Sequence, residues 1–193
     1  YCDVSKCEEL PSLDGLRGID YIVNNAGIVT PKADAIAVNQ IGYINIIRKY
    51  AEKNPKLKSI VIVSSTCVEK GLDNLEYCSS QGARNAMVRW CTTNFSADER
   101  HVLCNGISLD GLVAADPTSG REGTSMEPEL YARPELMEEI RNLSILKRLA
   151  TVEEIAEWIY FLLVVNTCVT GEIVRVDGEL SNFSFVKYPG WDD

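Results

Sequence analysis

Short segments predicted to be strands alternate along this chain with longer stretches of helical periodicity. The predicted strands are 21–23, 59–63, 102–107 and 172–176, and the helical stretches are 34–53, 77–95 and about 151–164. The last helix starts with a capping box, because Thr151 is followed three positions later by Glu154. Strands that alternate with helices predict an α/β fold, with a parallel sheet covered by helices on both faces. A further helix is predicted at 134–143, and the end of a strand at 1–4.

Composition excludes several functions. The 193 residues suffice for one domain, predicted to be 1–193. A net charge of −9 makes nucleic acid and anionic membranes poor partners. Seven scattered cysteines without a Cys-x-x-Cys pair, and a single histidine, predict no metal site and a reducing, cytoplasmic location. The longest apolar stretch, 155–165, is too short to span a bilayer.

Five motifs follow one another along the chain. They are Asn24-Asn25-Ala26-Gly27 after the run at 21–23, Val38-Asn39-Gln40-Ile41-Gly42, Val61-Ile62-Val63-Ser64-Ser65, Tyr77-Cys78-Ser79-Ser80-Gln81, and Asn105-Gly106-Ile107 with Asp110-Gly111. A closing Thr170-Gly171 and Val176-Asp177-Gly178 complete the series. In the order and spacing of these motifs the chain resembles the short-chain dehydrogenase/reductase family over nearly its whole length. The short linker from Gly27 to Val38 resembles that of the hydroxysteroid dehydrogenase/carbonyl reductase branch. The resemblance implies a Rossmann-like, doubly wound parallel sheet, NAD or NADP as cofactor, and a small-molecule carbonyl or alcohol substrate.

The resemblance also implies catalytic roles. Tyr77 takes the place of the general acid/base. Ser65 is the serine that binds the substrate oxygen, with Ser64 as the alternative. Asn39 bends its helix and anchors a proton-relay water in the family, although an asparagine satisfied within a helix is an equally good interpretation of the residue alone.

The family pattern is broken at Gln81, where relatives carry lysine. Residues 77 and 81 lie one turn apart on one helix face. A lysine ammonium there lowers the tyrosine pKa from about 10, because opposite charge favours the phenolate. Gln81 can bond ribose hydroxyls but carries no charge, and each pKa unit of lost tuning corresponds to about 1.4 kcal/mol. Lys70 or Arg84 could substitute for the missing cation.

Cofactor contacts are implied for residues near the ends of predicted strands and on the helix of Tyr77. They are Asp3, Val4, Asn25, Ala26, Gly27, Tyr77, Gln81, Asp110 and Gly111. Asp3 and Val4 correspond to an adenine-contacting pair. With one inserted residue, Asp110-Gly111 replaces the Pro-Gly of the family, and Ala115 replaces a threonine whose hydroxyl contacts the nicotinamide amide. Residues 112–146 are expected to form a mobile substrate loop.

The phosphate-binding Gly-x-x-x-Gly-x-Gly of the family does not occur in this sequence. The expected fold is therefore N-terminally incomplete, without the family's first two strands, which would leave the strand at 21–23 as a bare edge. Three explanations are open: the N-terminal part exists but is absent from this sequence, another chain supplies it, or the fold is remodelled across a dimer.

Two functions from different classes follow. The first is an NAD(P)-dependent oxidoreductase whose activity Gln81 could impair. The second is a catalytically inactive family member, either a pseudoenzyme or an assembly subunit. A hydrolase is a distant third, because no Gly-x-Ser-x-Gly elbow occurs. The resemblance implies a homo-oligomer: a dimer through helices 34–53 and 77–95, or a tetramer that also uses the last strand.

Overall fold

The computed structural model describes residues 2–12, 18–29, 34–71, 75–110 and 133–178. Its centre is a four-stranded parallel sheet of β1 (Tyr21–Asn24), β2 (Ser59–Ser65), β3 (Leu103–Leu109) and β4 (Ile173–Val176), in that order. In register, Tyr21 pairs with Ser59 and Ser59 with Leu103, while Gly106 pairs with Ile173. The predicted parallel α/β sheet is confirmed, and the carboxyl ends of its strands share one edge.

The helices agree with the predicted ones to within a few residues. Helix α1 runs through Asp34–Ile36, a π-helical turn at Ala37–Ile41, Gly42–Ile46 and a second π-helical turn at Ile47–Ala51. The others are α2 (Cys67–Lys70), α3 (Leu75–Cys91, extended by a π-helical turn at Thr92–Ser96), α4 (Pro134–Leu143) and α5 (Val152–Tyr160, extended by Phe161–Val165). The predicted capping box is present: Glu154 N–H donates to Thr151 Oγ1, and Thr151 N–H to Glu154 Oε2.

The two faces of the sheet carry separate cores. On one face Ile60 and Ile62 of β2 pack with Tyr43 of α1 and Val88 of α3. On the opposite face Val61, Val63 and Ile107 pack with residues of α5 that include Ile155 and Leu162. Because β2 is covered on both sides, its sequence is a continuous apolar run rather than an alternating one.

Strand β1 is the edge of the sheet in the described part of the chain. Ile22 and Asn24 are buried, whereas Tyr21 is 37% exposed and Val23 is 43% exposed. The alternation means that α1 covers one face of β1 and that no described element fully covers the other.

The strand predicted at 1–4 is wrong for residues 2–4, and Tyr1 lies outside the described residues. Residues 2–12 instead form turns and a 3-10 helix (Cys7–Glu9) along α1. Asn45 Nδ2 donates to the carbonyl of Val4 at 3.0 Å, and Tyr50 Oη donates to that of Pro11 at 2.8 Å. No described strand lies beside residues 2–4, so a ladder could not satisfy their backbone. Asp3 therefore turns the chain locally, with its Oδ1 accepting from Ser5 N–H at 2.9 Å.

Candidate active site

The carboxyl edge of β1 and β2 gathers the main predicted catalytic residues. Asn25, Ala26 and Gly27 follow β1 directly, and Ser65 is the last residue of β2. Tyr77 and Gln81 lie one turn apart on α3, which packs on β2. Open sheets of this kind bind ligands at the carboxyl ends of their strands, so this edge is the candidate site.

Asn39 clamps the loop that follows β1. Its Oδ1 accepts from Ile28 N–H at 2.9 Å, and its Nδ2 donates to the Ile28 carbonyl at 2.8 Å and to Ser80 Oγ at 3.2 Å. The side chain is fully buried in a π-helical turn of α1. The Asn39 side chain is therefore satisfied, and its role in a proton relay stays a prediction.

Ser80 links the Asn39 side chain to the main chain of Tyr77. Its hydroxyl donates to the main-chain carbonyl of Tyr77 at 2.7 Å while accepting from Asn39. Nearby, Cys78 Sγ donates to the carbonyl of Cys67 at 3.2 Å and so ties α3 to α2. The turn of α3 that carries Tyr77 is therefore fixed from both sides.

The two serines at the end of β2 have different partners. Ser64 is buried and donates its hydroxyl to the main-chain carbonyl of Gln81 at 3.3 Å. Ser65 is half-buried, and its Oγ accepts from Cys67 N–H at 3.2 Å, which leaves its hydroxyl hydrogen to donate. This geometry favours Ser65 over Ser64 as the serine that binds a substrate oxygen.

Gln81 sits in the interior, with 1% of its surface exposed. Among the described residues its Oε1 has no hydrogen-bond partner, although buried amide oxygens are normally bonded. The position therefore holds a buried acceptor and no charge.

Arg84 is a buried cation beside the candidate site. Its Nε donates to the carbonyl of Asn39 at 2.9 Å, one Nη to that of Val63 at 2.9 Å, and the other to that of Ala26 at 3.0 Å. The guanidinium also lies 3.8 Å from the ring centroid of Tyr43. One side chain thus joins α1, β2 and the turn after β1.

Gly27 suits this arrangement, because a side chain there would be in tight contact with Arg84. A Cβ at this position would lie 3.2 Å from Arg84 Nη2 and 3.5 Å from Asn39 Oδ1. Glycine therefore allows the turn after β1 to approach the guanidinium closely.

The other predicted cation, Lys70, has a different environment. Its ammonium and the Thr66 hydroxyl both contact Asp110 Oδ2, the latter at 2.8 Å. The Lys70 side chain is only 4% exposed, and its charge is balanced locally by the half-buried carboxylate of Asp110. Of the predicted cofactor contacts, Asp110 is engaged in this network, while Gly111 lies outside the described residues, as does Ala115.

Asp3 and Val4 are not at a strand end. Val4 packs on the middle of α1, where a Cβ on Gly42 would lie 2.6 Å from Val4 Cγ2. Their assignment as adenine contacts therefore stays a prediction. The described residues contain no group of histidine, cysteine and carboxylate side chains that could hold a metal ion, and none of their helices is long and apolar enough to cross a membrane.

The sequence contains a signal that Arg84 is buried, beyond its being one of two possible replacements for the family lysine. From Gln81 onward the buried residues of α3 recur every three or four positions, at Gln81, Arg84, Val88 and Cys91. An arginine in such a stripe is buried and must find acceptors there. Ser80 gives no comparable signal, because its partners are the side-chain amide of Asn39, which is distant in sequence, and the main-chain carbonyl of Tyr77.

Comparisons with known proteins match almost the whole chain. Residues 2–181 match the family described as enoyl-(acyl carrier protein) reductase. The L-xylulose reductase of Caenorhabditis elegans is 30% identical over 177 residues, covering 83% of this chain and 65% of the relative. The chain thus spans somewhat less than two thirds of that relative's length.

Solved structures share the fold. A short-chain dehydrogenase/reductase structure from Brucella melitensis, named glucose/ribitol dehydrogenase, is 25% identical with a TM-score of 0.76, covering 92% of this chain and 74% of that one. A gluconate 5-dehydrogenase from Burkholderia cenocepacia, in complex with NADP and tartrate, has a TM-score of 0.77 at 18% identity and covers 93% and 73%.

Proposed function

Because this chain belongs to the short-chain dehydrogenase/reductase family, we propose that it is an NAD(P)-dependent oxidoreductase that interconverts a carbonyl and a secondary alcohol. Tyr77 is the general acid/base, Ser65 orients the substrate oxygen, and Asn39 supports the site. The observation that carries the proposal is the link from Asn39 through Ser80 to the main chain of Tyr77. This link holds the tyrosine at the edge where Ser65 and the turn after β1 meet.

The chain's own residues handle the proton. In alcohol oxidation the Tyr77 phenolate accepts the proton of the substrate hydroxyl, while Ser65 donates its hydroxyl hydrogen to the same substrate oxygen. A bound NAD(P) would supply the hydride acceptor for the carbinol carbon, or the hydride donor in the reverse direction. A tyrosine with the ordinary pKa of about 10 is ionised in only about one molecule in a thousand at neutral pH, so this chemistry needs a cation near Tyr77.

The nicotinamide half of NAD or NADP fits the residues at this edge. Asn25 and Ala26 are exposed, which allows a ligand to approach their backbone. Gln81 stays a prediction as a ribose contact, because its unpartnered Oε1 is an acceptor but its side chain is buried. Tyr77 and Gly27 complete this set, and Asp3, Val4, Asp110 and Gly111 stay predictions for the rest of the cofactor.

The proposed substrate class is based on the names of relatives, and the proposed partners on the composition of the chain. The relatives' names, L-xylulose reductase and gluconate 5-dehydrogenase, favour a small polar carbonyl or alcohol. The net charge of −9 argues against nucleic acid and anionic membranes. The seven free thiols favour a reducing, cytoplasmic location. We include a homo-oligomer, dimer or tetramer, and a single domain over 1–193 in the proposal.

The test is cofactor binding followed by turnover. NADH and NADPH are titrated against tryptophan fluorescence, and hydride transfer is followed at the nicotinamide absorbance with L-xylulose, gluconate and other small carbonyls and alcohols. Tyr77→Phe should lower turnover by about 10²–10⁴-fold, the usual contribution of a general acid/base. Tyr160→Phe, at an exposed tyrosine of α5, is the matched control and should change nothing. Turnover that survives Tyr77→Phe would reject this mechanism.

The second candidate is a catalytically inactive family member, a pseudoenzyme or an assembly subunit. It is favoured by the neutral, buried Gln81 and by Asp110, whose carboxylate is bound to Lys70 and Thr66. Cofactor binding without hydride transfer would favour this alternative. Gln81→Lys, made alone and together with Arg84→Met, then discriminates: recovered turnover in either means that the site is otherwise intact, and silence in both supports the inactive protein.

A further inference from the structure

Resting on the proposed function, we propose that Arg84 is the buried cation that stabilises the Tyr77 phenolate, in place of the charge that Gln81 lacks. Arg84 acts through Tyr77 and is therefore a positioning residue. In the sequence it is one of two candidate cations, the other being Lys70. The structure separates the two.

Helix geometry directs Arg84 toward the site. Tyr77, Gln81 and Arg84 stand at positions i, i+4 and i+7 of α3 and so share one face. Helical side chains lean toward the helix N-terminus, so a long side chain at 84 covers the turn that precedes it. The hydrogen bonds to Ala26 and Asn39 place the guanidinium beside the turn after β1.

The charge of Arg84 is not neutralised by its bonding partners. All three acceptors are main-chain carbonyls, and the fourth contact is the Tyr43 ring. These groups satisfy the guanidinium geometrically while leaving its full charge in a poorly solvated interior, where charges act strongly on one another. Lys70 differs, because its charge is paired with Asp110.

Tyr77 is one of the titratable groups that interact electrostatically with Arg84. Burial lowers the pKa of Arg84, but attraction to Tyr43, Tyr77 and Cys67 opposes that change, and the attraction is reciprocal. Burial strongly raises the pKa of Tyr43, so Tyr43 stays neutral over the working pH range. The groups around Arg84 are thus Tyr43 on α1, Cys67 on α2 and Tyr77 on α3. Arg84 itself stays protonated, as arginine does in proteins.

The experiment measures the Tyr77 pKa directly, without cofactor or turnover. The Cζ resonances of the eight tyrosines are titrated by NMR, and Tyr77→Phe identifies the Tyr77 signal. We expect Tyr77 to titrate about 1–3 units below the ordinary value of about 10, the range for an opposite charge nearby. Arg84→Met should raise it by at least about one unit, a tenfold loss of phenolate.

Three further variants separate charge from packing. Arg84→Lys keeps the charge and should keep the low pKa, even though it loses the forked hydrogen bonds. Arg84→Met with Gln81→Lys returns a cation one turn earlier and should restore the low pKa. Arg89→Met removes an exposed arginine of the same helix and should have no effect.

Two results overturn the inference: a wild-type Tyr77 that titrates at or above about 10, or a folded Arg84→Met whose Tyr77 titrates as in the wild type. If Arg84→Met does not fold, the wild-type and Arg84→Lys titrations decide. The proposed function fails separately. If the Tyr77 pKa is low but no hydride transfer occurs, the oxidoreductase function is rejected and the role of Arg84 stands. If hydride transfer occurs with an ordinary Tyr77 pKa, the role of Arg84 is rejected and the oxidoreductase function stands.

Discussion

Removal of the Asn39 side chain tests the clamp that builds this site. Asn39→Ala deletes the bonds to Ile28 N–H and C=O and the bond to Ser80 Oγ. Ser80 keeps its bond to the Tyr77 carbonyl, so the main loss falls on the two Ile28 groups. A buried polar group left without its partner costs about 1–3 kcal/mol. Because Ile28 is half-buried and water reaches it in part, we expect a total of about 2–4 kcal/mol.

Urea unfolding measures this cost, and amide hydrogen exchange locates it. Asn142→Ala is the matched control, because Asn142 is exposed and its one side-chain bond, to Glu138, is 3.5 Å long. The control should change stability by less than about 0.5 kcal/mol. In Asn39→Ala the Ile28 amide should lose protection before the amides of β2 do, because the loop after β1 is freed first.

The reasoning fails if Asn39→Ala unfolds at the same urea concentration as Asn142→Ala. It also fails if stability falls but the Ile28 amide stays protected, since the loss would then come from the cavity in α1. Asn39→Asp refines the result. It keeps an acceptor for Ile28 N–H but places a carboxylate against the Ile28 carbonyl, so it should be at least as unstable as Asn39→Ala near neutral pH.

Other predictions concern the surroundings of the site. Thr151→Ala removes the cap of α5 and should cost about 1 kcal/mol in urea unfolding, a value near zero being the contrary result. Arg148 and the capping bonds lower the pKa of Glu154 to about 2. A depressed carboxyl pKa stabilises the fold above the unfolded value of about 4.3 and loses that effect as pH falls toward 2. Glu154→Gln should therefore make the unfolding free energy depend less on pH over this range. The same pH dependence in the variant and the wild type would contradict this prediction. Gly42→Ala would place a Cβ 2.6 Å from Val4 Cγ2, so limited proteolysis should show residues 2–12 detached from α1. A gain of about 1 kcal/mol from helix propensity alone, with 2–12 still protected, would be the opposite outcome.

The sequence predicts the sheet well because the pattern of apolar residues along each strand follows the burial of that strand. Strand β2 is covered on both faces, so its residues 60–63 are continuously apolar and do not show the alternation of a half-exposed strand. The capping box at Thr151 can be predicted equally well, because both of its hydrogen bonds join residues within a four-residue segment. Predicted and observed bounds differ only by a few residues at the ends, where helices change into π-helical turns.

Long-range partners could not be predicted in the same way. The strand expected at 1–4 depends on a neighbouring strand, and residues 2–4 turn along α1 where none is described. The pairing of Lys70 with Asp110 joins residues forty positions apart. The three carbonyls that bind Arg84 come from three elements, so the sequence indicates that an acceptor set is needed but not which one.

The geometry of Arg84 also gives a physical reason for the neutral residue at 81. A lysine at 81 beside arginine at 84 would set two cations three positions apart on the buried face of α3. On an exposed helix like charges at this spacing cost a few tenths of a kcal/mol, and burial makes the repulsion larger. Gln81→Lys should therefore destabilise the wild type by at least about 1 kcal/mol more than it destabilises Arg84→Met. A double-mutant cycle of unfolding free energies measures this difference. Additivity within about 0.5 kcal/mol would mean that the two positions do not share one electrostatic environment, and the charge at 84 could not then stand in for the one missing at 81.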